Sequence, residues 1–243
     1  MIGRALRAQA RSAAGDVVLL GVTLAAFLLS LSLATSIPAE LAAAPPAARA
    51  ELVAPFDTVL ATYAGILAAV YGSFRYTIDR RDGVVAQRLM LESRGAMLAV
   101  RMPATALGGA VVAVAAVVGG RTALLVTMGG LPVQASAMAA AVALGAVAAL
   151  WGMGIGIVVP SHLAALFVAA LSMGMGLFVA MFWSTGAVYL PLPALLEAFQ
   201  FDVSAVGIAA DERLGALAVP VTAGWSFLAA AMGAVVFLRR DVT

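Results

Sequence analysis

The sequence predicts an all-α, polytopic membrane protein with six transmembrane helices. Three observations carry that prediction. Of 243 residues, 64% are hydrophobic and 11% charged, against about 45–50% and 25% in soluble domains. Apolar segments recur at close to the ~20 residues a helix needs to cross a bilayer. The arginines gather in segments that alternate with those spans. The mean hydropathy of +1.08 therefore reflects lipid-facing surface rather than one oversized core.

Residues 1–14 place Arg4, Arg7 and Arg11 within about 60° of one another on a helical wheel, with Ile2, Leu6 and Ala13 opposite. That pattern suits a helix lying in the membrane interface with its arginines toward anionic head groups. A signal-peptide n-region is the alternative, but the apolar run that follows is of span length, not a short h-region. The first span reads 17–36, and a Pro/Ala-rich loop leads to a second at about 56–74. The segment 75–101 holds six of the fourteen arginines with Asp79, Asp82 and Glu92. A third span runs from Met102 to about Gly120. Residues 121–135, broken by Gly-Gly and Pro and too short to cross alone, read as an interfacial connection. The fourth span covers about 136–158, "VPSH" makes a tight turn, and the fifth covers about 163–184. An acidic, Pro-containing connection at 190–215 precedes a sixth span at about 216–238.

The positive-inside rule then orients the chain. With both termini cytoplasmic, eleven arginines lie inside (4, 7, 11, 75, 80, 81, 88, 94, 101, 239, 240) and three outside (Arg49, Arg121, Arg213). An odd number of spans would put one basic end outside, so the even count has support independent of hydropathy.

Several chemistries are excluded. Every basic residue is Arg, so no P-loop lysine is available; "GGRT" at 119–122 has Arg in that place and Ala115 where the first Gly belongs. The chain has no Cys, which removes disulfides, thiolate metal sites and Cys nucleophiles. A lone histidine, His162, is a poor metal site and reads as an interfacial or partner-facing residue. The spans hold almost no ionisable group at mid-depth, whereas ion-coupled carriers need intramembrane Asp, Glu, His or Arg. No residue set suits general acid–base or metal catalysis.

The layout resembles the ABC-2 type permease, the transmembrane subunit of a bacterial ABC exporter, over essentially the whole chain. An amphipathic helix leads into six spans, with the one substantial cytoplasmic segment between spans two and three. Locally the matching residues are "DRRDG" (Asp79 to Gly83), Leu89-Met90-Leu91, Ser93-Arg94 and Arg101; the Pro usual in that turn is replaced by "LESRG". The resemblance implies that 75–101 is a coupling helix docking on a separate ATPase subunit, through Arg80, Arg81, Asp82, Gly83, Arg88, Leu89, Glu92 and Arg94. Mixed signs with apolar anchors (Val84, Val85, Leu89, Met90) fit such a surface, because complementary charge fixes register. Arginines that only enforce topology and bind anionic lipid would leave the interleaved acids unexplained.

The resemblance further implies short external re-entrant helices within 190–215, tolerable there only if buried in protein or lining a cavity. It implies a second permease copy or paralogue completing the pathway, no cofactor in this chain, and ATP with Mg on the partner. The membrane implied is the bacterial cell membrane, and the cargo an amphiphilic or hydrophobic molecule such as a drug, peptide antibiotic or lipid-like compound. Met173, Met175, Phe178, Met181 and Phe182 are candidates for the substrate path, since Met-rich surfaces adapt to varied apolar ligands; bundle packing is the other reading. Gly152 and Gly156 form a GxxxG that serves either a dimer seam or close packing within one bundle. A small ion-driven carrier or a non-catalytic membrane partner is the alternative function.

Overall fold

The computed structural model describes residues 15–37, 45, 51, 53–129 and 134–239, with the side chains of 53 and 54 left aside. The interfacial helix expected at 1–14, with Arg4, Arg7 and Arg11, lies outside the described residues, as do Arg49 and Arg240. The described chain is helical and contains no strand. Its elements are α1 (Val17–Ser32, continued by a 3-10 turn Leu33–Ser36), α2 (Val53–Arg81), α3 (Val84–Leu89), α4 (Arg94–Met128) and α5 (Ala135–Val158). They continue with α6 (His162–Ala180), α7 (Ser184–Ala187), α8 (Pro191–Ala198), three 3-10 turns between Val203 and Leu217, and α9 (Ala218–Arg239).

Five stretches are long and apolar enough to cross a membrane: Val17–Ser36, α4, α5, α6 and Gly215–Arg239. The chain is thus a multi-pass, membrane-embedded helical protein. α2 is longer than most of these at 29 residues but more polar, carrying buried Thr58, Thr62, Ser73 and Thr77. Its position accounts for that composition. It runs through the centre of the bundle against α1, α4, α5 and α6, so its hydroxyls meet protein rather than lipid. Thr62 and Thr77 donate to the carbonyls of Thr58 and Ser73 one turn back, each at 2.9 Å, a local partner within the same helix.

The central packing rests on small residues. A Cβ at Gly72 would stand 1.9 Å from the Ala149 carbonyl oxygen, and one at Gly152 1.8 Å from that of Ala69. α2 and α5 therefore touch backbone to backbone, as close helix pairs in membranes do where side chains are small. Gly109 and Gly145 let α4 meet α5 in the same way.

Two sequence boundaries move. The third span does not stop near Gly120: α4 continues to Met128 and ends at Gly129, whose φ of +74° is a left-handed cap, its N–H turned to Leu124 and Leu125 O. The Gly119-Gly120 pair inside it is a contact surface, with Cβ positions 2.3 Å from Phe27 O of α1 and 2.2 Å from a Leu60 methyl of α2. At the arginine-rich end, α2 runs on to Arg81 and α4 begins at Arg94. Much of the 75–101 segment is therefore the ends of two long helices, and only 82–93 connects them. The fourth, fifth and sixth apolar segments match α5, α6 and α9 to within a few residues.

Candidate functional site

The arginine-rich end is built by three turns of sequence with distinct tasks. α2 closes at Arg81, and Gly83, at φ +73°, reverses the chain; a left-handed residue there favours glycine. The six-residue α3 then lies across the end of the bundle. Its Val85 is fully buried against Tyr76, Met97, Met153, Ile157 and Phe237, with Leu89 packed partly beside it. Ser93 restarts the chain as the N-cap of α4, its Oγ accepting from Ala96 N–H.

Four of the six arginines turn inward. Arg75 pairs with Asp16 at 2.6 Å and, one turn on, with Asp79. Arg101 reaches the other oxygen of Asp79 at 2.6 Å and lies 5.0 Å from the Tyr76 ring centroid. The four charges balance two against two, and their side chains are at most 13% exposed. Asp16 also caps α1 through Leu19 N–H, so one network ties α1, α2 and α4. Arg80 donates to the carbonyls of Val159 and Pro160 at the end of α5. Arg94 donates to Leu238 O at 2.8 Å and to Phe237 O at the end of α9. Cations on terminal carbonyls satisfy orphan acceptors and the helix dipole together.

What remains outward is a compact apex. Arg81, Asp82 and Gln87 are exposed, Arg88 and Glu92 half-buried, while Met90 and Leu91 are 84% and 80% exposed. Of the residues expected to meet a partner, Arg81 and Asp82 face out and Arg88 and Glu92 lie at the rim. Gly83 is the turn, Leu89 leans inward, and Arg80 and Arg94 brace neighbouring helices. Among the apolar anchors, Val85 is core and Met90 stands free with Leu91 beside it. His162 sits close by, stacked on Phe74 with centroids 4.8 Å apart and sharing a 2.7 Å hydrogen bond with Thr77 Oγ1.

The opposite end has its own ion pair, Arg121 with Asp57 at 2.5 Å between α4 and α2. Asp57 and Arg75 are 18 positions apart on α2, and Arg101 and Arg121 are 20 apart on α4. At 1.5 Å per residue the two charged levels stand about 27–30 Å apart, the thickness of a bilayer's hydrocarbon core. Between them the described spans hold no Asp, Glu, Arg or His. Beyond the far level, Glu197 of α8 accepts from the N–H groups of Leu214 and Gly215. Arg213 and Ser204 meet at Asp202. The Ser204 hydroxyl and N–H, joined by Arg213, hold the Asp202 carboxyl below its usual range.

The residues expected on a substrate path do not converge. Met173 is buried in the core, while Met175 and Phe178 on α6 and Met181 and Phe182 in the turn after it stand out, from 46% to 88% exposed. Gly152 and Gly156 pack on α2 within this chain, at Ala69 and Ser73. Two apolar crevices instead flank α9. The larger, about 500 Å³, lies between α4, α5 and α9 along Leu98, Met102, Leu150, Met153 and Ala234. The other, about 260 Å³, lies between α5, α6 and α9 beside Trp151 and Met232.

Sequence reasoning missed the buried Asp16–Arg75–Asp79–Arg101 network. The one signal available was the i,i+4 spacing of Arg75 and Asp79. No protein-family model matches the sequence, and no curated protein matches it either.

Proposed function

We propose that the chain is the permease subunit of an ATP-binding-cassette exporter of the ABC-2 type, its energy supplied by a separate ATPase that grips the apex at 81–92. The observation that carries this reading is the contrast between the two sides of that segment. Outward it offers Met90 and Leu91 among Arg81, Asp82, Arg88 and Glu92, a mixed-charge rim around an apolar centre of the kind that docks on another protein. Inward it is fastened to the transmembrane helices through Val85, Arg80 and Arg94. A push on the apex is thereby delivered to α2, α4, α5 and α9 together, which is what coupling to a motor demands. The work must come from nucleotide bound by the partner, since a conformational equilibrium shifts only by a differential binding energy.

The same reading takes α2 as a sixth span. α2 and α4 run antiparallel and are joined by ion pairs at both charged levels, so if α4 crosses the bilayer, α2 crosses beside it. Six spans put both termini and the arginine-rich end in the cytoplasm of a bacterial cell, and the segment of α7, α8 and the 3-10 turns outside as a re-entrant cover. Six spans form half a pathway, completed by a second copy or a paralogue around an amphiphilic cargo. The charge-free zone between the two levels counts against an ion-driven carrier.

The test is purification of the tagged protein from its native membrane in mild detergent. A nucleotide-binding subunit copurifies with the wild type. It is lost from the quadruple variant Arg81→Ala, Asp82→Ala, Met90→Ala, Leu91→Ala, whose thermal stability stays near wild type because these side chains are exposed. Absence of any ATPase from the wild-type preparation removes the proposal.

A further inference from the structure

We infer that the 500 Å³ crevice between α4, α5 and α9 is a binding site for one anionic phospholipid of the leaflet at the arginine-rich end. Its volume falls within the roughly 300–1,000 Å³ of small-molecule sites, and its lining is apolar apart from Ser226. α9 approaches α5 closely along Gly154, Ala229 and Gly233. Beside that seam the small side chains of Ala230, Ala231 and Ala234 leave the gap to α4 unfilled.

Position and charge select the occupant. The crevice follows α9 from Ser226 to Ala234, about 12 Å along the axis, and runs from the charge-free zone to just past the Arg101 level, where Leu98 lines it. An acyl chain belongs at that depth. Its wall atoms lack dispersion partners until something apolar fills the space. Because lipid tails are as apolar as the walls, the chain alone gives little preference for one lipid over another. Selectivity comes from the mouth. Leu98 lies one turn beyond Arg94 on α4, and Ala234 about one turn before Leu238 on α9. Arg94 joins the two helices at that point through Leu238 O, and exposed Arg239 follows. By sequence three arginines (Arg94, Arg239 and Arg240) gather at this end against two nearby acids, Glu92 and Asp241, and the surplus of positive charge favours a phosphate-bearing anionic head. This site depends on the membrane embedding of the bundle and not on the exporter reading.

Native mass spectrometry of the whole protein in mild detergent, supplied with equal phosphatidylglycerol and phosphatidylcholine, tests it. The wild type retains one phosphatidylglycerol per chain, preferred by about five-fold for each arginine engaged. Ala234→Trp, which fills the crevice, loses the bound lipid. Met102→Trp does the same from the opposite wall, so a folding defect in one variant leaves the other to decide. Arg239→Gln keeps a lipid but loses about five-fold of the preference. Three results overturn the proposal: no retained lipid in the wild type, equal retention of the two lipids, or undiminished retention in both tryptophan variants. A second copy seated in the crevice gives the first of these, together with a dimer that Ala234→Trp dissociates.

Discussion

At the residue scale the structure turns on charges that are paired out of water. Asp79 is 5% exposed and Arg101 3%, and breaking a buried pair by removing one partner costs about 3–5 kcal/mol. Arg101→Gln is therefore expected to lower the midpoint of thermal unfolding in detergent sharply, and Asp79→Asn with Arg101→Gln to recover much of the loss. A fall no larger than that of Arg81→Gln, at an exposed site, would show that the pair carries no structural weight. Glycines offer a second contrast. Valine at Gly152 must push back the Ala69 backbone, an overpacking of about 1–3 kcal/mol or more. Valine at Gly174, with no atom within 4 Å of its Cβ position, leaves stability nearly unchanged, and the same melting assay separates the two. The sequence could not announce either site. Arg75 and Asp79 are legible neighbours on one helix, but Asp16 and Arg101 come from other helices whose register only the packed bundle sets. Gly152 and Gly174 look alike in a Gly-rich chain until their neighbours are known.

At the element scale, span existence was legible and span ends were not. Hydropathy marks α1, α6 and α9 because each keeps most of its surface toward lipid, and α5, more than half buried, because it meets its neighbours through Ala and Gly rather than polar groups. α2 is more polar because protein surrounds it, so its apolar run under-reports its length. α4 ran past Gly119-Gly120, since a glycine pair ends a helix only where no neighbour needs the close approach; Gly129, with none, did end it. The connection after α8 carries a prediction of its own. Asp202 has its carboxyl held below the ordinary value of 3.8 by Ser204 and Arg213. A depressed folded value contributes order that is present above pH 3.8 and lost as pH falls through the folded value. Amide exchange at Val203–Gly207, corrected for intrinsic rates, is thus expected to stay flat from neutral pH to about 5 and to quicken in stronger acid. Arg213 and Asp202 are partly exposed, so the effect is small. Asp202→Asn flattens the profile, and a wild-type profile as flat as the variant's counts against the clamp.

At the scale of the whole molecule, the decisive feature is the spacing of the two charged levels. Ion pairs set about 27–30 Å apart along α2 and α4 leave an uncharged slab that matches the hydrocarbon core. Buried pairing makes the level at each face tolerable, because an arginine at mid-depth is costly however it is satisfied. The slab fixes where the membrane lies, and the count of crossings fixes what faces where. α1 starts at the arginine-rich level, where Asp16 meets Arg75, and its 3-10 extension ends at Ser36 on the far side. If α2 crosses back, Leu91 and Ser36 lie on opposite sides of the bilayer; if it does not, they share one. The absence of native cysteine makes the distinction directly measurable. Single cysteines at Ser36, Leu91, Ser204 and Arg239 are labelled with a membrane-impermeant maleimide, from outside intact cells and again after lysis. Ser36 and Ser204 are expected to react from outside, and Leu91 and Arg239 only after lysis, with Leu171 on the lipid face of α6 slow in both. Ser36 and Leu91 reacting from the same side would leave five crossings. It would also set the apex across the membrane from the start of α1, although Asp16 there is paired with Arg75 close to the apex. That conflict favours the six crossings proposed above, in which the charge levels, the arginine bias and the start of α1 agree.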